Sequence, residues 1–514
     1  MSRSDLPLFV VTPPARTPSG SAQPLRHRPP SLRRAPAIGL TVVLALLLTG
    51  CAPLLVPDRA LPEVPIPTVW SSGAPENTGI ADQAAAPSDI PATALADWWQ
   101  HFDDPLLTAL VRRALAVNTT VQGAQSALQQ ARAVRDVQAA GLLPSASASG
   151  SAQRARSGGA SASNRFQVGL DASWEVDVFG RARSALDAAE AEVEAARTGL
   201  AGTRVSLAAE VALAYIDLRN QQSRLVLARQ ILAAQQETQQ FAQWRVQAGL
   251  ATSIELEQAR SAAEQTAAQL FALENGIAQA AHSLAVLCGE APGTMLDALT
   301  GAGEGTSVPS VPQVSRELAL TIPADTLRQR PDIHQAEARV DAALARVSQA
   351  DAARYPGFRL GGSIGLSALT LGGLSGGAVA SSLLASVSLP LFDGGALRAQ
   401  VRVQEAALEQ ARLSWQATVL AALREVEDAL VALRTDRERL AHLEQAAEAA
   451  GNAALLAQDR YASGLVDFQV VLDTQRTLLN TRDSVAGTLA SVSADHVRLY
   501  KALGGGWMNE SEDR

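Results

Sequence analysis

The side chains able to do chemistry are few and scattered. The 514-residue chain holds six histidines and two cysteines, and none of them cluster at a metal-ligand spacing. His334, in RPDIHQAE (330–337), reads as an interface residue rather than a ligand. The glycine-rich GGLSGG (372–377) has no helix start with lysine after it, so it reads as a loop and not a phosphate cradle. Cys288 stands before Gly289 at a helix end and reads as a small buried apolar residue, not a reactive thiol. No catalytic residue, metal site or cofactor is assigned. What remains is charge at useful spacing. Asp171, Glu175 and Asp177 alternate along one side of an extended stretch, where carboxylates would attract cations. Asp473 and Arg476, in LDTQR (472–476), are three apart and share a helix face, so they can pair there or across to a neighbour.

These charges need elements to hold them, and the chain writes those elements twice. EVALAYIDLR (210–219) and EVEDALVALR (425–434) match at an offset of 215. The same offset relates Leu186 to Val401, Leu218 to Leu433, Gly249 to Gly464 and Gly289 to Gly504. Near the start of each copy the offset is 212, pairing LLP (142–144) with RYP (354–356). A period this long means duplicated domains rather than a solenoid. The resulting division is a leader (1–50), an N-terminal linker with a short helix (51–118), a first repeat (119–289), a connector (290–330), a second repeat (331–504) and a tail (505–514).

Each copy reads helix, two strands, very long helix, turn, helix. In FQVGLDASWEVD (166–177), Phe166, Val168, Leu170, Ala172, Trp174 and Val176 fall on one face and polar or small residues on the other. SASASGSAQ (145–153) is its small-residue partner. FRLGGSIGLSA (358–368) and SLLASVSLPL (382–391) supply the second hairpin. Four strands cannot close a barrel, and open edges cannot sit in lipid. Either the hairpins lie on a soluble sheet, or several chains pool strands; the wet and apolar alternation favours pooling. Residues 181–247 and 393–461 contain no proline and carry heptads with four-residue stutters, which predicts helices packed side by side. Each would reach roughly 100 Å at about 1.5 Å per residue.

The N-terminus has its own logic. Arg33 and Arg34 precede the apolar run APAIGLTVVLALLLT (35–49), which predicts an export signal. LTGC (48–51) resembles the bacterial lipobox, which makes Cys51 the expected lipidation site and, with Ala52 after it, the outer membrane the destination. From residue 51 onward the chain has 37 basic and 50 acidic residues, a net charge of −13, which disfavours nucleic acid as a partner.

Taken together, DWWQHFDDPLLTALVRRAL (97–115), RPDIHQAEARVDAA (330–343), LPLFDGG (389–395), RYASGLVDFQVVLDTQR (460–476) and LYKALGGGW (499–507) resemble the TolC/OprM family of outer-membrane efflux channels, in its NodT-type lipoprotein branch. The resemblance covers nearly all of the chain after the leader. It implies a homotrimer that is mainly α, with four strands per chain forming one 12-stranded β-barrel in the outer membrane, continued by a 12-helix periplasmic α-barrel. It implies that the turns at Gly249, Leu250, Gly464 and Leu465 meet a periplasmic adaptor, and that an inner-membrane pump of the resistance-nodulation-division type drives export of drugs or xenobiotics. It places Asp473 and Arg476 at the periplasmic aperture. Gln469 stands where relatives carry a bulky apolar residue, so the apolar plug is expected at Val470. The lack of methionine clusters argues against a copper-dedicated channel. A type I protein secretion duct and a non-conducting structural envelope lipoprotein are the alternatives.

Overall fold

The computed structural model describes residues 60–62, 64, 70, 95–156, 158–159, 161–300, 310–314, 327 and 329–506. Cys51, the expected leader and Met508 lie outside the described residues. After a short 3-10 helix, Trp98–Phe102, come α1 (Pro105–Val117), α2 (Thr119–Ala140), β1 (Ser145–Ala155), β2 (Ser163–Val176), α3 (Arg181–Gln247), α4 (Ser253–Leu287) and a one-turn α5 (Leu296–Thr300). The pattern then repeats as α6 (Pro331–Ala352), β3 (Gly357–Ala368), β4 (Ala378–Ser388), α7 (Ala396–Ala462) and α8 (Phe468–Ala502). The written duplication is a folded one. Both α3 and α7 have 67 residues, and both α4 and α8 have 35.

Local chemistry sets the helix ends. Asp104 caps α1 by accepting the N–H groups of Leu106 and Leu107 at 2.9 and 3.0 Å, with Pro105 in the first turn. Asn118 caps α2 in the same way. Asp393 accepts the N–H groups of Leu397 and Gly395, both at 2.8 Å, and these bonds hold its carboxyl below the usual carboxylate range. Asp177 does the corresponding work for α3, accepting the N–H of Arg183 at 2.8 Å. That corrects its expected place on the strand: β2 ends at Val176. A carboxylate beside free helix N–H groups is held there by them, not by the strand ladder.

The four strands form one antiparallel sheet in the order β1-β2-β3-β4. β4 begins four residues earlier than its sequence suggests and stops at Ser388, ahead of Pro390. The register keeps polar and apolar residues in step. Asp171 faces Ser147 on one side and Ser363 on the other, while Leu170 faces Ala148 and Ile364. β1 and β4 are exposed along their whole length, and Leu383 on β4 is 87% exposed. The sheet therefore has one small and polar face, one apolar face, and two unpaired edges.

The main core lies where α1 packs between α3, α4 and α8. It is built on Trp98, Leu107, Tyr215, Leu284 and Tyr500. Trp98 stacks on Tyr500 at 5.3 Å between ring centroids. Cys288 is fully buried in this cluster, and burial pushes its thiol up. Beyond the core, α3 runs on with α4, and α7 with α8, as two long helical hairpins.

Candidate functional site

At the far end of the hairpins both long helices stop in the same way. Gly249 and Gly464 have φ of 70° and 71°. Leu250 N–H donates to the Arg245 carbonyl and Leu465 N–H to the Arg460 carbonyl, both at 2.8 Å. Gly249 N–H and Gly464 N–H donate to Val246 and Tyr461 at 3.0 Å. This is the double hydrogen bond of a Schellman turn, and it needs a residue comfortable at positive φ. The turns leave Leu250 and Leu465 pointing outward, 70% and 74% exposed.

The two turns are tied to each other through Tyr461. Its hydroxyl donates to Glu255 Oε2 at 2.8 Å. Arg245 Nη1 donates to the Tyr461 carbonyl at 3.0 Å, and its guanidinium lies 4.4 Å from the ring centroid. Phe468 and Phe241 pack on the same ring, at 5.3 and 5.9 Å. Burial, then Glu255, pushes the Tyr461 hydroxyl up to about 12. Arg245 lies in the last turn of its own helix, where a cation offsets the negative helix end. In the fold it also satisfies the end of the other long helix. Glu255 closes a capping box with Thr252 at the start of α4, so it holds its own helix as well as Tyr461.

The first turns of α8 carry the expected aperture residues. Gln469 Nε2 donates to Asp473 Oδ1 at 3.1 Å. Arg476 makes no ion pair among the described residues, so the expected pairing within the helix is not formed. Gln469 stands one full turn before Asp473, the i, i+4 spacing at which a glutamine amide meets a carboxylate on a helix face. Gln469, Asp473 and Arg476 all line one groove between α4 and α8. Val470 is 43% exposed beside them.

On the sheet, Asp171 accepts from Ser149 Oγ at 3.2 Å. Glu175 pairs with Arg181 at 2.5 Å and with its cross-strand partner Arg359 at 3.8 Å. The polar wall is thus less anionic than three unpaired carboxylates would make it. Midway along the molecule, RPDI also has a structural explanation. Arg330 is buried; it donates to Asp332 at 3.0 and 2.7 Å, to Glu425 at 2.8 Å and to the Ala502 carbonyl at 2.7 Å. Burial opposes its charge, but the two carboxylates outweigh it and raise its pKa. The guanidinium fastens the start of α6 to α7 and to the end of α8. Gly504 sits against it, where a Cβ would lie 3.2 Å from Arg330 Cα.

An uncovered sheet at one end and two tied helical hairpins at the other are the parts of a long duct. Residues 110–290 and 322–505 match the family described as Outer membrane efflux protein. The chain belongs to that family. It is 34% identical over 466 residues to Nodulation protein T of Rhizobium leguminosarum bv. viciae, covering 90% of this chain and 92% of the relative. It is 30% identical over 481 residues to the toluene efflux pump outer membrane protein TtgC of Pseudomonas putida, covering 91% and 95%. Among solved structures it is similar to the outer-membrane channel OprN, at 32% identity and a TM-score of 0.76, over 88% of this chain and all of that one. This outer membrane efflux protein, of the NodT-type branch, is the outer-membrane channel of a tripartite efflux system. Its family works with adaptors and inner-membrane pumps.

One contact at the tip has no local signature in the sequence. Tyr461 and Glu255 lie 206 residues apart, and no local pattern links them. The only available signal is that Arg245 and Arg460 are repeat equivalents while Tyr461 has Val246 as its counterpart. An aromatic on one copy alone marks a contact made by one copy alone.

Proposed function

We propose that three copies of this chain form one export duct. Each copy gives four strands to a closed 12-stranded barrel in the outer membrane. At every level below the membrane each copy gives four helices to a 12-helix periplasmic barrel: α2, α3, α6 and α7 above, α3, α4, α7 and α8 below. The observation that carries this is the uncovered sheet, with its apolar face and two unpaired edges. In lipid every strand edge must be paired, and β1 of one copy with β4 of the next meets that need.

The tips at Gly249, Leu250, Gly464 and Leu465 dock a periplasmic adaptor, presenting exposed leucines on turns of fixed shape. Asp473, Gln469, Arg476 and Val470 line the resting aperture. Three copies bring three Asp473 carboxylates together, and Arg476 is available to the neighbouring protomer's Asp473. Asp171 and Glu175 face the lumen. Cys51 carries the lipid that tethers the mature N-terminus. A resistance-nodulation-division pump delivers drugs or xenobiotics to the duct. Native mass spectrometry of the protein purified from membranes tests assembly and anchor together. The expected species holds three chains, each with an acyl adduct on Cys51. A single-chain species overturns the duct, and three chains without acyl groups overturn the anchor alone.

A further inference from the structure

A cavity of about 620 Å³ opens between α1, α2 and α3, away from both the sheet and the tip. Its size is that of a small-molecule site. Four arginines from three helices line it: Arg112 on α1, Arg132 on α2, and Arg197 and Arg204 on α3. Among the described residues, Arg112, Arg132 and Arg204 make no ion pair. Arg197 has only Glu194, at 3.7 Å. The lining has one carboxylate, Asp97, which is engaged by Gln100 at 3.1 Å. Converging guanidiniums repel one another unless an anion joins them. That concentration of positive charge stands on an acidic protein, where −13 is the net charge from residue 51 onward.

The lining also carries apolar surface. The Trp99 ring, 3% exposed, stands with Leu115, Leu128 and Leu200 beside the arginines. Guanidiniums that can fork onto carboxylate or phosphate oxygens, next to an apolar wall, describe one ligand chemistry.

We propose that this cavity binds a small amphipathic anion, a carboxylate or phosphate group on an apolar body. The test is isothermal titration calorimetry on the full-length protein, purified from membranes in a neutral detergent, with protein-free micelles subtracted. The probes are 1-naphthoate and 1-naphthyl phosphate, with 1-naphthol as the uncharged control. Saturable binding of at least one anion is expected, weakening as salt rises, and the tighter of the two identifies the head group. Arg112→Gln and Arg204→Gln should each weaken it roughly tenfold, the loss of one charge-assisted pair. Arg112 is exposed on its helix, so its replacement leaves the core intact. The proposal is overturned if neither anion binds the wild-type protein, if 1-naphthol binds as tightly as the anions, or if both variants bind as the wild type does.

Discussion

Replacing Tyr461 by phenylalanine removes one hydroxyl and keeps the ring. The lost bond is the 2.8 Å donation to Glu255, a half-buried carboxylate. The ring stays buried, with Arg245 over it and Phe468 beside it. A hydrogen bond to a charged group contributes about 1.5–3 kcal/mol. Taking about 2 kcal/mol for this partly solvated pair, the tie between the two hairpins weakens about 30-fold per protomer. Three protomers multiply that effect in the proposed trimer. Glu255 also loses a partner while remaining in its capping box, so the hairpin itself should persist. The assay is single-channel recording of purified Tyr461→Phe protein in planar bilayers at moderate salt. Higher conductance or a larger open fraction than wild type is expected. Arg245→Gln, which removes the bond to the Tyr461 carbonyl and the cation over the ring, should act in the same direction. If both variants conduct as the wild type does, the tie between the hairpins does not hold the tip closed.

Gly464→Val forces a β-branched residue to φ near 71°, at about 1–2 kcal/mol of local strain; export in cells should fail while membrane-inserted trimers persist, and full resistance would show the turn to be only a cap. Arg476→Ala should raise single-channel conductance, and Asp473→Ala should raise it less because it also removes repulsion between carboxylates; unchanged conductance in both places the closure at Val470 and the packing of the helix ends. His496 is buried as the neutral base, its pKa lowered to about 4 by burial and by Arg437, whose Nη2 approaches Nε2 at 3.1 Å. The unfolded chain takes up this proton near pH 6.5, so stability present above that value should be lost as pH falls from about 6.5 to about 4, by roughly 3 kcal/mol in full. Burial raises the pKa of neighbouring Asp495, which pushes the other way, so the measurement is the difference in melting temperature against pH between wild type and His496→Gln; parallel curves refute the assignment.

The parts legible in the sequence are those set by local periodicity. Alternation over 166–176 marks the two faces of β2, and the register then carries the same faces across β1 and β3. Freedom from proline and the glycines at 249 and 464 mark helices that end within a residue or two of the observed bounds. β4 is misplaced by four residues because AVASSLLASVS mixes serine and leucine without strict alternation. The electrostatics are less legible. Nothing local says that Glu175 meets Arg359, while spacing on the helix face allows Asp473 either Gln469, four before it, or Arg476, three after it, and does not choose between them. The RPDI segment stands out as a family signpost, but the reason lies in Glu425 and the Ala502 carbonyl, 95 and 172 residues away. Such contacts depend on tertiary placement, which residue spacing does not encode.

The central claim is that this chain's open sheet closes with two other copies around a water-filled lumen. Planar-bilayer recording of the purified, full-length protein tests it most directly, because a closed barrel and a continuous lumen are both needed for current to flow. The expected result is discrete, stable conductance steps, with cations preferred over anions at low salt as Asp171 is aligned around the wall. Membrane-inserted protein that passes no current, in the wild type and equally in Tyr461→Phe and Arg476→Ala with the tip released, would contradict the duct and leave a structural envelope lipoprotein in its place.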